Sequence, residues 1–227
     1  MLKAVIFDFD GVICDSELIH YRALNAVFNR YGVDVPKAVH WDKYLGYTDL
    51  ENIEAVNRDY AIGLDAAGIV RLMAEKKMAF EAMAKTESLV IEGVEPIVQM
   101  LIRQGVRRAI CSGALRSDID MMLRGSGFSE AFEVIVTADD ITKGKPDPQG
   151  YLLALKKLNT ANSDGIKASD CIVIEDSHWG LEAACTAGMH SIAVTNTYSR
   201  PQLEGKADIV VDRLDRVTYE MLKGICA

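Results

Sequence analysis

The sequence predicts an α/β protein in which a doubly wound parallel sheet carries a small, all-helical insert after its first strand. Two observations support this fold class. From residue 87 onward, brief apolar runs alternate with helical patterns, as expected for βαβ units whose strands are covered on both faces. Between residues 16 and 87, by contrast, the apolar residues follow only helical spacing. We therefore expect a core domain of residues 1–15 and 88–227 and a helical domain of residues 16–87.

The elements of the predicted core alternate regularly along the chain. Each strand is a short, mostly apolar run, which suits a buried parallel sheet. In chain order, the predicted strands are Ala4–Phe7, Arg108–Ser112, Phe132–Val136, Cys171–Glu175, Ser191–Val194 and, at an edge, Ala207–Val211. The predicted core helices are Val94–Ile102, Leu115–Leu123, Pro148–Leu158, Trp179–Ala187 and Leu214–Leu222. Ligands of such sheets bind beyond the carboxyl ends of the strands, so polar residues at those ends are candidate site residues.

The insert is predicted to consist of helices. The first runs from Glu17 to Tyr31 and ends at Gly32, because glycine is the residue that most readily adopts the left-handed C-cap conformation. A later helix begins at Thr48 or Asp49, either of which can cap it. The last runs from about residue 65 into the mid-eighties, with apolar residues at intervals of three and four.

Composition limits the possible partners and compartments. The 227-residue chain is 49% hydrophobic and carries a formal net charge of −8, which argues against nucleic acid as a partner. No apolar run approaches the roughly 20 residues of a membrane span, and no signal pattern begins the chain. The five cysteines are scattered and odd in number, as is typical of reduced thiols. We expect a cytoplasmic protein without a membrane partner; the sequence leaves its oligomeric state open.

Two acidic residues, Asp8 and Asp10, follow the first predicted strand. If the strand continues through them, its period of two places both carboxylates on one face. Such crowded acids resist ionisation unless a cation or hydrogen-bond donors offset their charge. Asp10-Gly11 is also a common hairpin signal, but no alternating strand follows Gly11. We therefore predict a functional site at this strand end.

Two further sets of candidate site residues lie after a predicted strand or just before a predicted helix. Ser112-Gly113 offers a hydroxyl and backbone N–H groups that suit an anionic oxygen, although by itself this pair is more typical of a plain helix N-cap. Lys145 lies in a loop that Pro146 and Pro148 stiffen, so its ammonium group has a defined origin from which to reach a pocket. A plain surface loop is the alternative for this segment.

A second acidic pair, Glu175-Asp176, ends the strand that begins at Cys171. Acidic residues are poor strand formers, and Asp176 or Ser177 could simply cap the next helix. Acids at the ends of two neighbouring strands would nevertheless form an oxygen-rich site for a hard cation, and Mg²⁺ prefers carboxylate, carbonyl and water ligands. The sequence therefore predicts a magnesium site.

These segments, taken in order, resemble the motifs of the haloacid dehalogenase-like superfamily. The matching segments are Asp8-Phe-Asp10-Gly-Val-Ile, Ser112-Gly, Lys145-Pro and Glu175-Asp176-Ser. The helical insert resembles the small cap domain of the β-phosphoglucomutase and phosphoglycolate phosphatase subfamily, and the run from Cys171 to Met189 is similar to that subfamily too. The resemblance implies a Rossmann-like core with a cap domain.

The resemblance also implies a role for each core motif. Asp8 would be the nucleophile that forms an aspartyl-phosphate, and Asp10 would be the general acid and base. Asp8, Asp176 and Glu175, with the backbone carbonyl of Asp10, would bind Mg²⁺. The phosphoryl oxygens would be held by Ser112-Gly113, by Lys145 and by the backbone N–H groups after Asp8.

The cap resemblance is less complete. In the mutases a Lys-Gly-x-Ser-Arg motif occurs where this chain has Leu45-Gly46-Tyr47-Thr48-Asp49, so Gly46 is kept but two cations are lost. That loss argues against a sugar-bisphosphate intermediate. His20 and Lys76 fall where the subfamily often has a histidine and a lysine, and either could contact Asp10 or the substrate. Alternatively, His20 merely packs or caps, and Lys76 belongs to a solvated face.

The predicted activity is that of a Mg²⁺-dependent phosphatase acting on a small phosphorylated metabolite, such as a sugar phosphate or a short organic phosphate. A sugar-phosphate mutase of the β-phosphoglucomutase type is the main alternative. Haloacid dehalogenation is disfavoured because that chemistry has no use for a metal site. A phospho-acceptor signalling module is disfavoured because such modules are shorter and lack a cap.

Overall fold

The computed structural model describes residues 1–44, 47–84, 90–123, 128–161 and 165–226. The chain divides into two compact units. One consists of Met1–Asp15 with Leu89–Ala227 and is called the core unit below, and the other consists of Ser16–Ser88 and is called the insert unit. Among the helices of the described residues, none has the length and apolar character needed to cross a membrane.

A parallel sheet of six strands forms the centre of the core unit, within the described residues. The strands are β1 (Ala4–Phe7), β2 (Arg107–Cys111), β3 (Val134–Val136), β4 (Cys171–Glu175), β5 (His190–Val194) and β6 (Ile209–Val211). Their order across the sheet is β3-β2-β1-β4-β5-β6. The chain thus moves outward on one side of β1 and then continues on its other side, which places the topological switch point between β1 and β4.

The register of the three central strands brings their carboxyl ends together. Phe7, the last residue of β1, pairs with Ile110 on one side and with Ile174 on the other. The backbone N–H of Asp8 continues this pairing by donating to the carbonyl of Ile174, at 2.9 Å. Residues that follow β1, β2 and β4 therefore lie at one edge of the sheet.

Helices flank the sheet, and the strands between them are buried. The core-unit helices are α5 (Val94–Arg103), α6 (Arg116–Leu123), α7 (Gln149–Ala161), α8 (His178–Thr186), α9 (Arg200–Leu203) and α10 (Tyr219–Ile225). Every side chain of β1 and of β4 is buried. Short, buried strands of mainly apolar residues are expected where helices cover both faces of a parallel sheet.

The insert unit contains four α-helices and no strand within residues 16–44 and 47–84. The helices are α1 (Ser16–Phe28), α2 (Lys37–Lys43), α3 (Asp49–Asp59) and α4 (Ala66–Ala84). After α1 the chain reaches Gly32, whose φ of 73° is the left-handed cap expected from the sequence. Thr48 caps α3 in a reciprocal arrangement with Glu51. Buried side chains of α1, α3 and α4, including Phe28, Ile53 and Leu72, form its apolar core.

The predicted fold class is confirmed, with one difference at the first strand. β1 ends at Phe7 and does not continue through Asp8 and Asp10. The chain turns there because the N–H groups of residues 12, 13 and 14 point to the carbonyl of Phe9, and Gly11 adopts a φ of 75°. Asp8 and Asp10 are therefore oriented by a tight loop rather than by the pleat of a strand.

Candidate active site

Three buried carboxylates meet beyond the carboxyl ends of β1 and β4. Asp8 follows β1, Glu175 is the last residue of β4, and Asp176 follows it. One carboxylate oxygen from each residue lies within 4.8 Å of the others. The parallel register of the two strands produces this convergence, because it places their last residues side by side.

Two glycines make room for these carboxylates. A Cβ at Gly11 would lie 1.9 Å from Oδ2 of Asp176, and Gly11 also has the positive φ that favours glycine. A Cβ at Gly180, in the first turn of α8, would lie 1.6 Å from Oε1 of Glu175. Both distances are far below a van der Waals contact, so any larger residue would displace a carboxylate of the site.

Lys145 brings a positive charge to this cluster. Its Nζ forms ion pairs with Oδ1 of Asp8 and, at 2.5 Å, with Oε1 of Glu175. Burial disfavours the charged ammonium, but the two carboxylates outweigh that effect and raise the pKa of Lys145 well above its ordinary value. Lys145 is therefore a cation beside Asp8, the nucleophile that the sequence predicts.

Both carboxylate oxygens of Glu175 accept hydrogen bonds. Its Oε2 accepts from the backbone N–H groups of Asp176 and Ser177 and from the Ser177 hydroxyl, each at 2.9 Å. Its Oε1 accepts from Lys145 and, at 3.0 Å, from the hydroxyl of Tyr151. Burial opposes ionisation, but Lys145 and these donors prevail and lower the pKa of Glu175. The Ser177 hydroxyl also accepts from the N–H of Gly180, so Ser177 caps α8 as the sequence allowed.

The compensation is weaker at the other two acids. Burial, together with the charges of Glu175 and Asp176, raises the pKa of Asp8 well above its ordinary value despite Lys145. Burial and the neighbouring Glu175 raise the pKa of Asp176 to about 7. Three buried acids thus face one lysine among the described residues, and this excess of negative charge fits a divalent cation. The all-oxygen donor set suits Mg²⁺.

Ser112 and Asp10 lie together at the end of β2. The Ser112 hydroxyl donates to Oδ2 of Asp10 at 3.2 Å and accepts from the N–H of Ala114 at 2.9 Å. Ser112 is buried, whereas Asp10 is partly exposed. A cavity of about 270 Å³ adjoins them, and its lining includes Ser112, Gly113 and Lys145. The three predicted phosphate-binding residues therefore border one cavity.

Three positions in and near this site were not predicted. The hydroxyl of Thr197, in the segment after β5, donates to Oδ2 of Asp176, and the neighbouring Asn196 amide donates to the carbonyl of Gly11 at 2.7 Å. Thr197 could have been found by extending the strand-end rule to β5. Tyr151 gave no such signal, because an aromatic residue within the first turns of a helix usually indicates core packing.

Two of the residues predicted in the insert unit, His20 and Lys76, lie together. Lys76 is 1% exposed, and its Nζ lies 2.6 Å from Oδ1 of Asp49 and 2.6 Å from Nδ1 of His20. The His20 ring stacks on Phe80, with 4.3 Å between ring centroids. The alternative that Lys76 belongs to a solvated face is wrong, because its ammonium is paired and buried. Gly46 lies outside the described residues.

The chain belongs to the haloacid dehalogenase-like hydrolases. The family model with the description "Haloacid dehalogenase-like hydrolase" matches residues 5–194. That range contains every core motif singled out from the sequence.

Individual relatives support the same assignment. The Bacillus subtilis protein YhcW, which carries the name of a phosphatase, is 32% identical over 86% of this chain and 84% of its own length. The phosphorylated carbohydrates phosphatase of Thermotoga maritima is 29% identical over 84% of each chain. A solved structure of a CbbY variant from Rhodobacter sphaeroides, in complex with xylulose-(1,5)bisphosphate, is 25% identical, with a TM-score of 0.74 over 95% of this chain and 96% of that one. The predicted family and enzyme class, a haloacid dehalogenase-like phosphoric monoester hydrolase, are confirmed.

Proposed function

We propose that this protein is a Mg²⁺-dependent phosphatase that hydrolyses a small phosphorylated metabolite through an aspartyl-phosphate on Asp8. The convergence of Asp8, Glu175 and Asp176 around Lys145 is the observation that carries this proposal. Phosphoryl transfer requires positioning and charge neutralisation more than elaborate covalent chemistry, and such a cluster provides both.

Asp8 is the proposed nucleophile. A carboxylate oxygen of Asp8 attacks phosphorus, and a new P–O bond forms as the bond to the ester oxygen breaks. Its ion pair with Lys145 keeps Asp8 oriented and offsets part of the repulsion between a carboxylate and a phosphate dianion.

Asp10 is the proposed general acid and base. It gives a proton to the departing ester oxygen and is left ionised. In the second half of the reaction it takes a proton from water, whose oxygen attacks phosphorus, so that phosphate leaves and the Asp8 carboxylate is restored. In the structure the Ser112 hydroxyl donates to the Asp10 carboxyl group, which places Asp10 beside a hydroxyl proposed to turn to a phosphoryl oxygen when the substrate binds.

The transferred phosphoryl group would be held by Lys145, by the Ser112 hydroxyl and by the backbone at Gly113. These residues line one cavity, and two of them contact the proposed catalytic acids, Lys145 at Asp8 and Ser112 at Asp10. Fixed donors of this kind stabilise charge on the equatorial oxygens without reorganising during the reaction.

The magnesium ion is assigned to Asp8, Asp176 and Glu175, with the backbone carbonyl of Asp10. When bound, the cation neutralises negative charge on the phosphate and on the carboxylates. Thr197 keeps Asp176 oriented toward this site through their hydrogen bond.

The substrate is proposed to be a sugar phosphate or a short organic phosphate. The Thermotoga maritima relative is named for phosphorylated carbohydrates, and the CbbY variant was crystallised with a sugar bisphosphate. Asp49 stands where the mutase motif has arginine, and it pairs with Lys76. This pairing reduces the positive charge available to a second phosphate and disfavours the mutase alternative. Contact of His20, Gly46 or Lys76 with the substrate stays a prediction.

Phosphate release from a panel of phosphorylated metabolites and p-nitrophenyl phosphate, with and without Mg²⁺, tests this function. We expect Mg²⁺-dependent release by the wild-type protein and none by Asp8→Asn, which should keep the wild-type circular dichroism spectrum. Asp120→Asn, at an exposed carboxylate paired with Arg116, is the matched control and should retain activity.

Each alternative predicts a different result in the same assays. Full activity of Asp8→Asn would refute the aspartyl-phosphate, and release that EDTA leaves unchanged would favour metal-free chemistry. Isomerised sugar phosphate with little free phosphate would indicate a mutase. A phosphorylated Asp8 that persists for minutes would indicate a phospho-acceptor module.

A further inference from the structure

Tyr151 lies in α7 with its ring in the apolar core and its hydroxyl at the acidic cluster. It is 1% exposed and packs among residues that include Ala154, Leu158 and Val173. Its hydroxyl donates to Oε1 of Glu175 at 3.0 Å. A buried tyrosine needs a partner for its hydroxyl, but a neutral carbonyl would meet that need. The partner here is instead the carboxylate that also binds Lys145.

The ring of Tyr151 also contacts the ammonium group. Nζ of Lys145 lies 5.2 Å from the ring centroid, within the range of a cation–π interaction. A lysine side chain is long and rotates freely, so its charge is poorly positioned unless its surroundings restrain it. Asp8, Glu175 and the Tyr151 ring are the three groups that restrain Lys145 among the described residues.

The hydroxyl of Tyr151 affects how strongly Glu175 binds Lys145. Oε1 of Glu175 is shared between the Lys145 ammonium and the Tyr151 hydroxyl. Without the hydroxyl, that buried oxygen would depend on Lys145 alone and would hold the ammonium more tightly. A phosphoryl oxygen would then compete less well for Lys145.

We propose, on the basis of the function proposed above, that Tyr151 is a positioning residue that acts through Glu175 and Lys145 to present the ammonium group to the transferred phosphoryl group. Tyr151 also lines the cavity assigned to the phosphoryl group, but the role proposed here acts through Glu175 and Lys145. Its role differs from core packing because it depends on the hydroxyl and on Lys145, whereas packing depends on the ring.

A double-mutant cycle between Tyr151→Phe and Lys145→Met tests this role. Tyr151→Phe keeps the ring and removes the hydroxyl, and we expect kcat/KM for p-nitrophenyl phosphate with Mg²⁺ to fall about tenfold, as small misplacements of a catalytic group do. In the Lys145→Met background the same change should reduce kcat/KM less than twofold, because the group through which Tyr151 acts is gone. Equal losses in both backgrounds would overturn the proposal.

Tyr44→Phe is the matched control. Tyr44 is also buried, and its hydroxyl donates to a carboxylate, Asp59, at 2.9 Å within the insert unit. The Tyr44→Phe variant loses the same kind of hydrogen bond and leaves the hydrogen bonds of Glu175 and Lys145 unchanged. We expect its kcat/KM to stay within twofold of the wild-type value. A loss as large as that of Tyr151→Phe would show a general effect of removing a buried hydroxyl and would overturn the proposal.

A binding measurement keeps the test valid if Tyr151→Phe folds poorly. Inhibition constants do not depend on the folded fraction of the sample, and orthovanadate resembles the transition state more closely than phosphate does. We expect Tyr151→Phe to raise the inhibition constant of orthovanadate about tenfold and that of phosphate by clearly less. Equal changes in the two constants, or no change, would refute the positioning role.

The two proposals fail in different ways. Wild-type protein that releases no phosphate from any ester refutes the proposed function and, with it, the role of Tyr151. Wild-type protein that is active while Tyr151→Phe is equally active refutes the role of Tyr151 alone.

Discussion

The two units each contain a lysine among acidic side chains, and the acids around the two lysines differ in burial. In the insert unit, the described partners of Lys76 include Nδ1 of His20 and Asp49, whose side chain is 40% exposed. In the core unit, Lys145 pairs with the buried Asp8 and Glu175 while Asp176 adds a third buried acid. Those three buried acids hold an excess of negative charge that a further cation would offset, so a buried lysine–acid pair alone does not mark a metal site.

The largest expected difference between the two clusters is in catalysis. Lys145→Met should lower kcat/KM for p-nitrophenyl phosphate by about 10² to 10³, because a fixed charge near the phosphoryl oxygens is lost. Lys157→Met, at a lysine that pairs with Asp140 outside the acidic cluster, should stay within a few-fold of wild type. Steady-state kinetics with Mg²⁺ measure both variants, and an unimpaired Lys145→Met would contradict the assignment of Lys145.

The second difference is in the response to Mg²⁺. A ligand that binds only the folded state stabilises it by about 2.7 kcal/mol at 100 times its Kd, so saturating Mg²⁺ should raise Tm by several degrees. Asp176→Asn should lose most of this increase, whereas Asp49→Asn in the insert unit should retain it. Thermal unfolding with and without Mg²⁺ distinguishes the two acids. An increase that survives Asp176→Asn would place the cation elsewhere.

A smaller effect is expected from Thr197, which contacts a proposed metal ligand without being one. Thr197→Val removes the hydroxyl that orients Asp176 and should weaken Mg²⁺ binding about tenfold. Thr195→Val, at a hydroxyl that lies 3.4 Å from Oδ1 of Asp212, is the control. The Mg²⁺ concentration that gives half-maximal activity measures both variants, and equal values for them would exclude an orienting role for Thr197.

The smallest expected effect is a change in the stability of the insert unit. Asp49→Asn replaces one charged partner of the buried Lys76 ammonium by a neutral one, and we expect it to lower the free energy of unfolding by about 1 kcal/mol, since the Asp49 side chain is 40% exposed. Asp42→Asn, at an exposed carboxylate of the same unit, should change it little. Urea unfolding measures both. Equal stabilities would mean that Lys76 does not depend on Asp49.

Several features were accessible from the sequence because they depend on local patterns. Apolar runs at β1 and β4 can only be strands covered on both faces, and Thr48 and Gly32 are cap residues by their own conformational preferences. The spacing of acids after β1 and β4 predicted a shared site because parallel strands end at a common edge. Those predictions needed no knowledge of distant contacts.

Other features depend on contacts that sequence spacing does not encode. The sequence left open whether β1 continues through Asp8 and Asp10. In the structure, the turn at Gly11 ends the strand at Phe7. Lys76 could not be distinguished from a solvated lysine, because its partner Asp49 lies 27 residues earlier in the chain. Tyr151 was indistinguishable from a core aromatic residue until the position of its hydroxyl was known.

The sequence by itself determined the fold class and predicted the helical insert and the core side chains to which the proposed chemistry is assigned, because periodicity and motif order are properties of the chain. Only the tertiary structure decided the burial of the acids around each lysine and the partners of Glu175. Those features depend on Coulomb interactions and desolvation over a few ångströms between residues far apart in the sequence. The spacing of residues along the chain does not specify such distances.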